Sequence, residues 1–143
     1  MALDNIGDYW IALWDAVYAL VDSVDFDVAY QGLRFPPNKW PSAFVGAGTI
    51  DYKLSDTIGT LYEWRMPIYI FDKDSDITAG KKSAISYAGK VHAVLVADRS
   101  LGLAWLHPIE SIELDSEPRE APEGYERQCV KLTLTAQAFL DEM

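Results

Sequence analysis

The sequence predicts an α+β fold: a mainly antiparallel sheet packed by two helices, in the order α-β-β-β-α-β-β. Three observations predict it. Leu61-Tyr-Glu-Trp-Arg-Met-Pro-Ile-Tyr-Ile-Phe71 is apolar or aromatic at every even position, with Glu63 and Arg65 between them, which is the two-residue period of a strand with one buried face. Two other stretches, near residues 6–24 and 78–97, carry apolar residues at three- and four-residue spacing, the period of a helix lying on a core. The 143 residues are half hydrophobic and 24% charged, so a single domain, 1–143, buries a core without staples.

Charge and cysteine content narrow the classes of function. Lys+Arg number 12 against 22 Asp+Glu, a formal charge of -10. That balance opposes sequence-specific nucleic-acid binding, because phosphate contacts are made by basic groups that release counterions. It fits a high-salt habitat, the lining of a passage that DNA crosses without sticking, or plain solubility. Cys129 is the single cysteine, so an internal disulfide is excluded. No basic-then-apolar leader opens the sequence and no apolar run approaches the roughly 18 residues of a membrane span. The reading is a soluble, unexported chain with no membrane partner.

Taken in order, Asp4 or Asn5 caps a first helix whose stripe is Ile6, Tyr9, Trp10, Leu13, Val17, Leu20, Val21 and Val24. Trp14 and Tyr18 widen that stripe beyond one packing face. They either broaden the contact with the sheet or meet a second subunit. Residues 25–30 alternate as a short strand. Residues 32–41 form a surface loop, because each of its prolines removes a donor and restricts the residue before it.

Residues 42–54 read as the next strand, with Phe44, Gly46, Gly48, Ile50, Tyr52 and Leu54 in alternation. No helix follows the two glycines, so they mark a bulge or a close backbone approach, not a phosphate cradle. Ser55, Asp56, Thr57, Ile58 and Gly59 turn the chain into the central strand, where Pro67 implies an edge position or a bulge. This hairpin tip is the candidate partner contact. The second helix runs from about Thr78 to Ala97, capped by Asp76 or Thr78, with Ala84, Ile85, Ala88, Val91, Val94, Leu95 and Tyr87 on its apolar side. A strand over 109–114, an acidic proline-bearing loop over 117–124 and a last strand over 125–136 complete the expected elements.

Residue chemistry supplies no catalytic, cofactor or metal site. Asp72-Lys-Asp-Ser-Asp76 has the opening spacing of a calcium loop, but its sixth and twelfth positions are Ile77 and Ser83, where glycine and glutamate are needed. His92 and His107 lack Cys, Asp or Glu at ligand spacing. Ser83, Ser86 and Ser100 lack a nucleophile elbow. Cys129 sits in a strand, where a thiol acts as a small hydrophobe. Carboxylates are too many for any one pair to inform, so a small carboxylate-using enzyme of a salt-loving organism stands as an alternative only.

The order of elements, the chain length, the acidity and the lead-in Trp40-Pro-Ser-Ala-Phe-Val45 to the long hairpin together resemble the lambda-type tail terminator proteins of long-tailed phages and archaeal tailed viruses. The resemblance covers most of the chain as an order of elements with few identities. It implies a non-enzymatic virion protein of the tail or neck, assembled in the host cytoplasm. Such a subunit forms a homohexameric ring that caps the tail tube, ends its polymerisation and joins the tail to the head connector. The implied partners are further copies of the chain, the tail tube protein and the head-tail connector protein, with DNA passing through the lumen. Trp14, Tyr18 and Trp40 are then candidates for the subunit interface. A head-tail connector, or neck, protein of similar plan is the alternative within this class.

Overall fold

The structure, a computed structural model, describes residues 5–33, 37–55, 59–119, 121 and 128–140. Its elements run α1 (Ile6–Asp22), β1 (Val28–Gln31), β2 (Ser42–Val45), β3 (Thr49–Ser55), β4 (Gly59–Phe71), α2 (Ile77–Ala97), β5 (Ser111–Asp115) and β6 (Cys129–Leu140). The class is α+β as the periodicity predicts, with two helices on a six-stranded sheet of order β1-β2-β4-β6-β5. β1 pairs β2 in parallel and the other pairings are antiparallel.

β4 is the centre of the sheet. β6 pairs along its whole length from Thr60↔Leu140 to Phe71↔Cys129. On its other side the first half pairs β3 and the second half pairs β2. The strand expected over 42–54 is therefore two strands, and the break is a bulge. Between the pairs Val45↔Ile68 and Thr49↔Arg65, residues 46–48 face only residues 66 and 67. One extra residue reverses which side chains face the core. Ala43 and Val45 before the bulge lie opposite Ile70 and Ile68, whereas Ile50 and Tyr52 after it lie opposite Trp64 and Tyr62.

The glycines make the bulge possible. Gly48 has φ +76°, and a Cβ there would lie 1.9 Å from the Arg65 carbonyl oxygen. Pro67 is tolerated for a related reason. Its carbonyl accepts from Gly46 N at 2.9 Å, so its donorless nitrogen faces the same gap between β2 and β3 and costs no ladder bond. Of the two alternatives expected for Pro67, an edge position or a bulge, the structure shows the bulge, and it lies in the neighbouring strand.

The even face of β4 is the helix side. Trp64, Met66, Ile68 and Ile70 are fully buried there with Leu13, Val17 and Val21 of α1 and Ala84, Ala88, Val91 and Leu95 of α2. Asn5 caps α1, its Oδ1 accepting from Asp8 N at 3.1 Å, and Asp76 caps α2 by accepting from Thr78 N at 2.9 Å. Both caps satisfy a first-turn donor. Ile85, placed on the apolar side of α2 by spacing, is instead 48% exposed. On the opposite face Phe44, Tyr69, Phe71 and Cys129 form a smaller cluster covered by Tyr30, Trp40 and Ala121. β6 continues four residues beyond the expected end at Ala136, because Ala138 and Leu140 pair with Tyr62 and Thr60.

Candidate interaction surfaces

α1 is fastened to the sheet by aromatic donors. Trp10 Nε1 donates to the Ala47 carbonyl at 2.8 Å, Trp14 Nε1 to Val45 at 2.9 Å and the Tyr18 hydroxyl to Ala29 at 3.2 Å. Two of these carbonyls border the bulge, where the interrupted ladder leaves acceptors for side chains. Trp14 and Tyr18 therefore sit half-buried between α1 and the sheet. Trp14 also edges a shallow, wholly apolar hollow of about 260 Å³ with Gly7, Trp10, Ile11 and Ala47. Its outer wall is Ile11, which is 54% exposed. Trp40 lies elsewhere, edge-on to Phe71 at 6.4 Å on the opposite face. The structure does not bring the three interface candidates into one patch.

Of the hairpin tip, Ser55 and Gly59 close the β3–β4 ladder. Asp56, Thr57 and Ile58 lie outside the described residues. Below the tip, Tyr52 is exposed and tilted against Tyr62, which stacks on Trp64.

The residues with reactive chemistry are dispersed. The Asp72 carboxylate accepts from Lys73 N at 2.8 Å and from the Ser83 hydroxyl, and Asp74 accepts from Asp76 N at 3.0 Å. Each carboxylate of that turn serves its own loop or the helix start. His107 lies against Phe139, and His92 lines a hollow with Val96, Arg99 and Ile112. A cleft of about 130 Å³ holds Asp51 and Glu63 with Arg65 and Gln137. Glu63 there accepts from Gln137 Nε2 at 2.9 Å and pairs with Arg65 at 3.3 Å. It is smaller than the roughly 300–1,000 Å³ usual for small-molecule sites. Cys129 is buried.

Lys81 does structural work that spacing does not reveal. Its ammonium donates to the Cys129 carbonyl at 2.7 Å and to the Ser116 carbonyl, joining α2 to the end of β5 and the start of β6. Burial pushes its pKa below 10.5, against the opposing pull of the Cys129, Glu117 and Asp115 charges.

A second open surface lies beside α2. Arg99 Nη2 donates to the Ile109 carbonyl at 2.9 Å. Together with the Lys81 contact this sets α2 alongside β5, running the opposite way. Ile112 and Leu114 share the face of their buried partners Leu134 and Leu132, so they point to the helix side. Leu114 is nevertheless 50% exposed, as are, nearly equally, Ile85 and Val96 on the same stripe of α2. A helix about 10 Å wide spans roughly two strand spacings of about 4.8 Å. α1 contacts β1 and β2, and α2 contacts β6 and β4; among the described residues Ile112 of β5 packs half-buried against the main core and Leu114 is left exposed. Only the exposed spacing of Ile85 and Val96 could have signalled this in the sequence.

With this geometry the chain can be set beside known proteins. Its fold is similar to that of a chain in the virion of a native gene transfer agent particle. The likeness covers 88% of this chain and 92% of that one, with a TM-score of 0.56 and 15% identity. No family profile and no curated protein matches the sequence.

Proposed function

We propose that the chain is a structural protein of a phage-like virion, where it closes into a ring on the tail tube, ends tube polymerisation and joins the tail to the head connector. The observation that carries this reading is the likeness to the gene transfer agent virion chain, which runs through nearly the whole of both. Fold by itself does not fix a role. The surface supplies the second support: apolar side chains stand exposed at both margins of the helical layer, as subunit contacts require. The partners are further copies of the chain, six in the lambda-type plan, with the tail tube protein on one side and the connector on the other. A charge of -10 lets DNA cross the lumen without being held. Residues 55–59 are the contact to tube or connector, while Trp14, Tyr18 and Trp40 stiffen the faces that meet neighbouring subunits.

The test mixes the purified chain with its tail tube protein and records tube length and ends by electron microscopy. Tubes that stop growing and carry a ring at one end are expected. Binding to connector rings with no effect on tube growth would assign the chain to the neck instead. A chain that stays monomeric in every mixture while tubes grow unhindered overturns the virion reading.

A further inference from the structure

Charge is segregated between the two helices. α1 holds three aspartates, Asp8, Asp15 and Asp22, and no basic residue. α2 holds three lysines, Lys81, Lys82 and Lys90, and no acidic residue, in a chain whose acids outnumber its bases by nearly two to one. Within one subunit the helices lie side by side, and the ion pair recorded near their border, Lys90 to Asp25 at 3.3 Å, uses no α1 residue. The outward face of α1, with Ile11, Asp15 and Asp22, looks away from α2: Asp15 accepts from Gln31 of the edge strand β1 at 2.6 Å.

We infer that α1 of one subunit docks into the trough between α2 and β5 of the next copy, and that this contact is what closes the ring. Lengths agree: α1's 17 residues span about 25 Å at 1.5 Å per residue, and α2 from Lys81 to its end at Ala97 spans about 24 Å. Chemistry agrees too. Exposed Ile11 meets Ile85 and Leu114 at one end of the trough, while Val96, about 16 Å further along α2, faces the C-terminal half of α1; Asp8 and Asp22 then approach Lys82 and Arg99, each of which shares its end of the trough with a glutamate. Glu110 and Glu117 line the end hollows and set a limit on how close an aspartate comes. β1 and β5 stand four strand spacings apart, about 19 Å. The two surfaces of one subunit therefore cannot meet each other, and a contact between unlike faces repeats head to tail, giving a ring where its rotation closes.

This inference rests on the ring-forming reading, and its test separates the two. Ile11→Asp spoils the helix face and Val96→Asp spoils the trough, each at an exposed site. Unfolding midpoints equal to the parent's show that both fold, with Ala19→Arg and Leu114→Arg as second choices for either face. By sedimentation velocity, with tail tube protein added to every sample where the parent needs it to close, the parent is expected as a ring and each variant alone as a monomer. A one-to-one mixture is expected as a dimer and nothing larger, because it contains one intact junction. A ring formed by either variant alone, or a mixture that stays monomeric while the parent closes, overturns the assigned faces and leaves the ring. A parent that remains monomeric with tail tubes present overturns both.

Discussion

α1 and α2 rest on the same face of one sheet, yet they meet its margins differently. α1 is held by three aromatic donors whose polar ends reach backbone carbonyls at and beside the bulge. α2 instead lies on Gly80, Ala84, Ala88, Val91 and Leu95, and leaves Ile85 and Val96 exposed beside the edge strand β5, whose Leu114 is exposed too. The aromatic donors thus fasten α1 within the chain, and the aliphatic margin of α2, with Ile85, Val96 and Leu114, leaves more apolar surface exposed than Ile11 does on α1. Large amphipathic rings are often anchors because one end needs a partner and the other a core.

The comparison breaks most severely if the ground beneath both helices is removed. Trp64 is fully buried against Trp105 and Tyr62. Trp64→Ala should cost about 3–5 kcal/mol by urea unfolding, as cavity formation does. Among the described residues its Nε1 has no hydrogen-bond partner. Trp64→Phe should therefore lose clearly less, since it also removes an unsatisfied donor. Next in size is Gly48→Ala, which places a Cβ against the Arg65 carbonyl in a left-handed conformation. It should cost roughly 1–3 kcal/mol and loosen the seat of α1 before that of α2, visible as faster hydrogen exchange along α1.

Smaller substitutions sharpen the contrast between the two sides. Trp14→Phe removes the donor to Val45 and should cost about 1 kcal/mol. Ile85→Ala on the open margin should change monomer stability by no more than about 0.5 kcal/mol. A reversed order would mean that the α1 margin is the spare one. The smallest effect concerns Lys81. Between its lowered pKa and 10.5 the unfolded chain binds more protons than the folded one, so stability should rise with pH across that window. Lys81→Met should flatten that rise in unfolding curves recorded at stepped alkaline pH.

Much of the fold is legible in the sequence because β4, α1 and α2 each carry one unbroken period. The even residues of β4 predict its core face, and Asn5 and Asp76 mark the helix starts. The strand over 42–54 misleads for a physical reason. Its residues keep a two-residue rhythm across Gly46 and Gly48, but the bulge between them reverses the faces, so Phe44 and Ile50 lie on opposite sides of the sheet. The two glycines mark the bulge in the sequence, but the reversal of faces it causes shows only in the partner's register. Pro67 reads as an edge or bulge signal, and the bulge that accommodates it belongs to another strand.

The interaction surfaces are less legible. Trp14 and Tyr18 stand out in sequence as surplus aromatics, and which way their polar ends turn depends on carbonyls 31 and 11 residues away. Ile85 and Val96 blend into an apolar helix until strand order shows that, among the described residues, no third helix covers β5.

The most direct measurement is the particle mass of the parent chain in solution, alone and with tail tube protein, by light scattering. The account predicts a closed ring of several 16.0 kDa subunits, formed at the latest when tubes are present. A single 16.0 kDa species under both conditions would contradict it.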